Sequence, residues 1–192
     1  MAKLIFRYST MNSGKTTNLL QVAHNYEERG FIVKIAKSEI DTKAEDRVSS
    51  RIGLKRKVDY LLPPQKNISI DLKINVLLID EAQFLNKEQI DQLYEISKLY
   101  NILIICYGLR TDFRMQGFEG ASRLLEIADE IEELKSICSC GKKATFNIRL
   151  FNGKPVFEGE QISIDNQEKI KYDTVCGECF LKLQKGKKDY HD

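Results

Sequence analysis

The stretch that most constrains this chain is Tyr8-Ser9-Thr10-Met11-Asn12-Ser13-Gly14-Lys15-Thr16-Thr17, placed directly after the apolar run Leu4-Ile5-Phe6. A short buried strand, a tight polar loop, Gly-Lys-Thr and then a helix is the order that phosphate binding needs. Backbone N–H groups turn inward, the helix N-terminus faces the anion, Lys15 reaches the β- and γ-phosphates, and the Thr16 hydroxyl is placed for Mg²⁺. The stretch therefore reads as a P-loop, with Ser9, Thr10, Met11, Asn12, Ser13, Gly14, Lys15 and Thr16 as nucleotide-binding residues. Ser9 stands where the usual pattern has its first glycine, so the backbone there must be one that a residue with a Cβ can adopt. A Ser/Asn/Gly turn that merely caps a helix is the alternative.

Downstream of the loop the same architecture continues. Residues 17–29 carry Leu19, Leu20, Val22, Ala23 and Tyr26 at helical spacing, Gly30 supplies a stop, and residues 31–36 read as a buried strand. Strand, helix and strand make a βαβ unit with a right-handed crossover. His24 falls on the solvated face of that helix. From residue 37 to 66 the pattern weakens into a long polar stretch ending in Pro63-Pro64, part of it expected to be mobile.

The second informative stretch is Asn75-Val76-Leu77-Leu78-Ile79-Asp80-Glu81-Ala82-Gln83-Phe84, a continuous apolar strand ending in two carboxylates. In a P-loop enzyme Asp80 is the expected Mg²⁺ partner. Glu81, one step beyond, can take a proton from a hydroxyl or orient a water. An ordinary strand end that runs into the acidic start of a helix is the competing reading. Beyond it lie a helix over residues 86–100 with Asn86 as N-cap, a buried strand over 102–107 holding Cys106 as a small core residue, and an amphipathic helix over 118–134. Between the last two, Gly108-Leu109-Arg110-Thr111-Asp112-Phe113-Arg114 leaves the carboxyl end of a strand, where ligands bind in open α/β sheets. Arg114 there either offsets phosphate charge or forms a surface ion pair.

The last sixty or so residues change character. Cys138-Ser139-Cys140 and Cys176-Gly177-Glu178-Cys179 bracket short alternating segments such as Thr145-Phe146-Asn147-Ile148-Arg149-Leu150. Close cysteine pairs of this kind signal zinc, and four thiolates leave no open coordination position, which favours a structural ion over a catalytic one. Four free thiols are the alternative. The expected fold is α/β, a P-loop doubly wound parallel sheet over residues 1–135 with a small C-terminal zinc-binding domain over residues 136–192.

With 30 Lys and Arg against 28 Asp and Glu, the overall charge points to neither nucleic acid nor membrane as a partner. No apolar stretch approaches the ~20 residues that span a bilayer, and the start does not read as a signal peptide. The expected location is the cytoplasm, where five cysteines stay reduced unless a metal holds them.

The P-loop, the carboxylate pair, Gly-Leu-Arg-Thr-Asp-Phe-Arg and the cysteine pairs, in this order, resemble the zinc-containing thymidine kinase family, and its bacterial branch most closely. Ser9 and the segments Ser50-Arg51-Ile52-Gly53-Leu54 and Tyr107 to Arg114 match that branch. The resemblance implies transfer of the ATP γ-phosphoryl to the 5′-hydroxyl of thymidine or deoxyuridine. It implies Glu81 as base, Lys15 and Thr16 on triphosphate and Mg²⁺, and Asp80, Glu81, Ala82 and Gln83 lining the nucleotide site. Met11, Phe84, Leu109, Phe113 and Phe118 fall where the family surrounds the thymine ring, with Arg114 and Arg123 as phosphate-side arginines. A loop at about residues 158–175, carrying Tyr172, would fold over the base, and the family commonly forms homotetramers. This chain departs from the family pattern at Asp165-Asn166, in place of a double glycine, and at Asp41-Thr42-Lys43.

Overall fold

The computed structural model describes residues 2–40, 46–161 and 169–186. Asp41-Thr42-Lys43 and Asp165-Asn166 lie outside the described residues. The chain divides into two compact units, one made of Met1–Tyr8, Gly14–Leu109 and Phe118–Leu134, the other of Ser9–Ser13, Arg110–Gly117 and Lys135–Asp192.

The first unit runs β1 (Leu4–Ser9), α1 (Lys15–Glu27), β2 (Val33–Ser38), β3 (Arg47–Ser49), β4 (Lys55–Lys57), β5 (Tyr60–Leu62), β6 (Val76–Asp80), α2 (Lys87–Tyr100), β7 (Leu103–Leu109), α3 (Glu119–Ile127) and β8 (Glu130–Glu133). Six strands form one sheet in the order β5-β2-β6-β7-β1-β8. The pairs β1/β8, β2/β5, β2/β6 and β6/β7 are all parallel. Strands of a parallel sheet are buried on both faces, and β6 accordingly is buried at every position. Ile5, Ile35, Leu78 and Ile105 pack with Leu19 and Ala23 of α1 in one cluster. Their alternating neighbours Phe6, Leu77, Ile79 and Ile104 point to the other face and are buried as well.

The chain leaves β1 toward β2 on one side and β7 toward β8 on the other, so the connections part at neighbouring strands. In such sheets that reversal opens the crevice at the carboxyl ends. A polar cluster fixes the first turn of α1 beneath it: the Tyr107 hydroxyl donates to Asn18 Oδ1 at 3.0 Å, Arg7 Nη1 donates to the same hydroxyl at 2.9 Å, and Arg7 Nε to Glu132 Oε2 at 2.6 Å.

The expected elements appear, but the polar stretch over 37–66 also supplies three short strands, β3, β4 and β5, the last at the edge of the main sheet, and two other boundaries shift markedly. The second strand begins at Val33, two residues later than its apolar run, because Asn75 caps the Ile32 N–H through its side chain at 2.8 Å and the exposed Phe31 and Ile32 precede the sheet. The helix expected over 118–134 ends at Ile127 instead. Ala128 turns to an extended backbone (φ −62°, ψ 139°), and Asp129 bonds Leu4 with both its backbone and its carboxylate. Residues 130–133 then pair with Ile5–Tyr8 as an edge strand, held by Lys3 on Glu130 and Arg7 on Glu132. Sheet pairing here overrides a helical period that the sequence continues. Asn86 caps α2 as expected, in a reciprocal capping box with Gln89.

The second unit contains β9 (Ser136–Ile137), β10 (Lys143–Ala144), β11 (Phe146–Phe151), β12 (Lys154–Val156), β13 (Ile170–Val175) and α4 (Gly177–Gln184). Its main sheet has the order β12-β11-β13, antiparallel throughout. Its core gathers Ile148, Leu150, Val175, Phe180 and Leu183 around the cysteines. Among the described residues no helix is long and apolar enough to cross a membrane.

Two glycines of the first unit have no room for a side chain. A Cβ on Gly120 would lie 2.4 Å from the Leu85 carbonyl oxygen and 2.8 Å from that of Ala82, and one on Gly108 would lie 2.6 Å from Gln83 Oε1. These positions hold the turn after β6 against β7 and α3. Gly120→Ala is expected to lower stability by about 1–3 kcal/mol, because the obstructing atoms are backbone and must shift. Urea denaturation followed by circular dichroism measures this, and an unchanged midpoint would contradict the close approach.

Candidate functional site

In the first unit the site is built at the carboxyl ends of the strands. Gly14 precedes α1 with φ 82°, a left-handed conformation that suits glycine and turns the chain sharply into Lys15 and Thr16. Thr16 Oγ1 donates to Asp80 Oδ2 at 3.1 Å, and Asp80 Oδ1 accepts the Glu81 N–H at 3.1 Å. Lys15 and Asp80 are only 8% and 5% exposed. Burial pulls the Lys15 ammonium down from its usual range, against the raising pull of Glu81 and Asp80. Burial, with the Glu81 charge beside it, pushes the Asp80 carboxyl up to about 7, while Lys15 and the two hydrogen bonds resist. A crowded lysine and two carboxylates with little water is an arrangement suited to a charged ligand.

Glu81 sits in the left-handed region at φ 53°, and the chain then makes a 3-10 turn over Ala82–Phe84. A non-glycine residue there is held by its surroundings, and such residues concentrate at functional sites. What holds it is Gln83, 2% exposed. Gln83 Nε2 donates to Glu81 Oε2 at 2.5 Å, and Gln83 Oε1 accepts the Leu109 N–H at 3.0 Å. The amide fits in one sense alone, since a carboxylate only accepts and a backbone N–H only donates. The family resemblance implies Gln83 along the nucleotide site; its grip on Glu81 is not legible in the sequence, because it depends on Leu109 from another strand. Phe84 and Phe118 meet edge to face, centroids 5.7 Å apart, with Leu109 and Phe118 buried.

Other residues that the sequence singled out lie in the second unit. Ser9 ends β1 in an extended backbone that tolerates a Cβ, and its hydroxyl bonds Ser13 Oγ and the Thr10 carbonyl, bracing the loop where a glycine would leave it bare. Asn12 is left-handed at φ 62°. The Met11 N–H donates to Asn147 Oδ1 at 2.7 Å, and Asn147 Nδ2 donates to the Thr111 carbonyl at 3.2 Å. Asp112, buried, accepts the Arg114 N–H at 2.8 Å and the Gln116 N–H at 2.9 Å, and pairs with the Arg114 guanidinium. Arg114 thus forms an ion pair, and its Nη1 reaches the Gly159 carbonyl at 2.9 Å. Phe113 is buried, and Tyr172 accepts a hydrogen bond from Arg149 Nε at 2.9 Å. Arg123, in the first unit, pairs with Asp91 and Glu126 on the helix surface. Asn147 and Arg149 carried no motif; their one sequence signal is a polar side chain at every second place in an otherwise apolar strand.

The sulfurs of Cys138, Cys140, Cys176 and Cys179 all lie within 4.8 Å of one another. A tight knuckle, with the Gly141 N–H on the Cys138 carbonyl and φ 81° at Gly141, presents the first pair. The second pair sits at the start of α4, where Cys176 Sγ accepts the Cys179 N–H at 3.5 Å. Four soft donors at this spacing fit a tetrahedral zinc ion with no open position. Cys106, buried in β7, is a core residue whose thiol burial pushes far up.

The family model described as thymidine kinase matches residues 2–180. The chain belongs to the thymidine kinase family. The match takes in the phosphate loop, the carboxylate pair and all four clustered cysteines. Among curated relatives it is 46% identical to a thymidine kinase of Mannheimia succiniciproducens, over 92% of this chain and 93% of that protein. It is 46% identical to one of Francisella tularensis (92% and 95%) and 47% identical to one of Listeria monocytogenes (93% and 96%).

Gln83→Leu would leave the buried Leu109 N–H without its acceptor. A loss of about 1–3 kcal/mol is expected, read as a lowered denaturation midpoint. An unchanged midpoint would mean the Gln83 contacts contribute nothing.

Proposed function

We infer that the protein is an ATP-dependent thymidine kinase, transferring the γ-phosphoryl to the 5′-hydroxyl of thymidine, and of deoxyuridine, to supply monophosphate for DNA synthesis. The observation that carries this beyond family membership is the Glu81 carboxylate, held by Gln83 one residue past an Asp80 that bonds Thr16. Phosphoryl transfer is mostly positioning and charge stabilisation, and the one proton task falls to the base that receives the hydroxyl proton. We assign that task to Glu81. The N–H groups of residues 9–14 and the Lys15 ammonium take the triphosphate, with Asp80 to Gln83 beside it. Thr16 and Asp80 would hold Mg²⁺, which would offset the charge that develops during transfer.

For the nucleoside we propose the residues that the family resemblance implies, Met11, Phe84, Leu109, Phe113, Arg114, Phe118 and Tyr172. Aromatic and thioether groups give a flat base contact area at low entropic cost. Residues 1–135 act as the nucleotide-binding domain, and residues 136–192 form a domain organised by structural zinc on Cys138, Cys140, Cys176 and Cys179, with the covering loop. The resemblance to the family further supports a cytoplasmic homotetramer.

Incubation with ATP, Mg²⁺ and single nucleosides tests the function. Thymidine should yield its monophosphate faster than deoxycytidine does, and equal rates would contradict the assignment. Glu81→Gln keeps the shape and removes the base, so turnover should fall by ~10²–10⁴-fold while ATP binding changes little. Near-normal turnover would move the role elsewhere.

Metal analysis should find one zinc per chain, and Cys176→Ser should reduce it. Since the ligand pairs close the covering loop, thymidine binding should weaken before ATP binding does. Metal-free, fully active protein would overturn the zinc assignment.

A further inference from the structure

Arg149 is a charged residue in the middle strand of the second unit's sheet, and it is 5% exposed. Among the described residues no carboxylate pairs with it. A buried guanidinium without a counter-charge is costly unless other groups compensate it. Here its carbon lies 3.7 Å from the centroid of the Phe113 ring and 5.4 Å from that of Tyr172. Nε donates to the Tyr172 hydroxyl at 2.9 Å and Nη2 to the Gln161 carbonyl at 3.3 Å. Register makes this set: Arg149 stands opposite Tyr172 on β13, so the two side chains share a face.

One side chain therefore touches three segments far apart in sequence, the Phe113 ring, the Gln161 backbone and the Tyr172 hydroxyl. Stacking fixes the distance between the guanidinium plane and the Phe113 ring, while the directional bonds fix its rotation. The segment of Gly159 and Gln161 is gripped by two arginines, Arg114 on the Gly159 carbonyl and Arg149 on that of Gln161. Gly159 has φ 115°, and a Cβ there would come within 3.6 Å of Arg149 Nη1, so the backbone runs close along the guanidinium.

We propose that Arg149 is a positioning residue for nucleoside specificity: it sets the Phe113 ring, the Tyr172 hydroxyl and the start of the covering loop in one fixed arrangement, without itself taking part in phosphoryl transfer. This rests on the reading that Phe113 and Tyr172 face the nucleoside. An arginine is needed because only a flat fork can cover a ring and bond two oxygens at once. A lysine ammonium keeps the charge and loses the plane.

The test is steady-state kinetics of Arg149→Met and Arg149→Lys, varying thymidine at saturating ATP and ATP at saturating thymidine. Zinc content and unfolding midpoint are measured alongside. Both variants should raise the thymidine KM by roughly 10- to 100-fold, the scale of loss when a binding group is misplaced by about 1 Å. The ATP KM should stay within about twofold. Should Arg149→Met fail to fold, Arg149→Lys, which keeps the buried charge, decides. A wild-type thymidine KM in either folded variant would overturn the proposal. So would a fall in kcat with the thymidine KM unchanged, which would put Arg149 at the phosphoryl group. Wild-type protein inactive on thymidine would defeat the functional reading itself, and that result is visible before any variant is made.

Discussion

The turn after β6 is the constraint on which the catalytic end of the first unit depends. Glu81 stands in a left-handed conformation that costs on the order of 1–3 kcal/mol for a residue with a side chain. It persists because the chain on either side is fixed: Asp80 is bonded to Thr16, and the carbonyls of Ala82 and Leu85 rest against a glycine that leaves no space to retreat. An extended Glu81 would continue the strand past the sheet. The left-handed one swings the chain back and leaves its carboxylate beside Gln83.

Around that turn the protein buries charge deliberately. Lys15 and Asp80 are buried beside the half-buried Glu81, and burial raises the Asp80 pKa and lowers that of Lys15. A triphosphate with a divalent cation is the ligand proposed for this cluster, and it would bring charges of both signs to it. The second unit meets a similar problem by other means. Its core is small, so clustered sulfurs stand in for apolar bulk, and its buried guanidinium is compensated by aromatic faces and two oxygens.

Much of this was legible in the sequence wherever chemistry is carried by near neighbours. Gly14-Lys15-Thr16, Asp80-Glu81 and the cysteine pairs each announce a local geometry, and the parallel sheet is implied by apolar runs alternating with helices. The strands β3 to β5 were missed in a largely polar stretch without a long apolar run, and residues 130–133 were misread as helix, since Ile131 and Leu134 extend the helical period of Leu124 and Leu125. Only the pairing with β1, invisible in a linear pattern, turns them into a strand. Gln83, Asn147 and Arg149 were obscure for the same reason. Each matters through a partner brought in by the fold: the Leu109 N–H, the Met11 N–H, and the Phe113 ring with the Tyr172 hydroxyl. Arg114 had two readings because a guanidinium fits phosphate and carboxylate alike, and here Asp112 holds it.

On the proposed assignment Glu81 accepts a proton from a sugar hydroxyl, and a carboxylate held for that task should be a poor activator of loosely held water. The ratio of ADP formed to thymidine monophosphate formed, followed together by ³¹P NMR in one reaction with ATP and Mg²⁺, therefore tests the central claim most directly. The account predicts one monophosphate per ADP, with ADP formation all but ceasing when thymidine is left out. ADP released at the same rate with and without thymidine would contradict it.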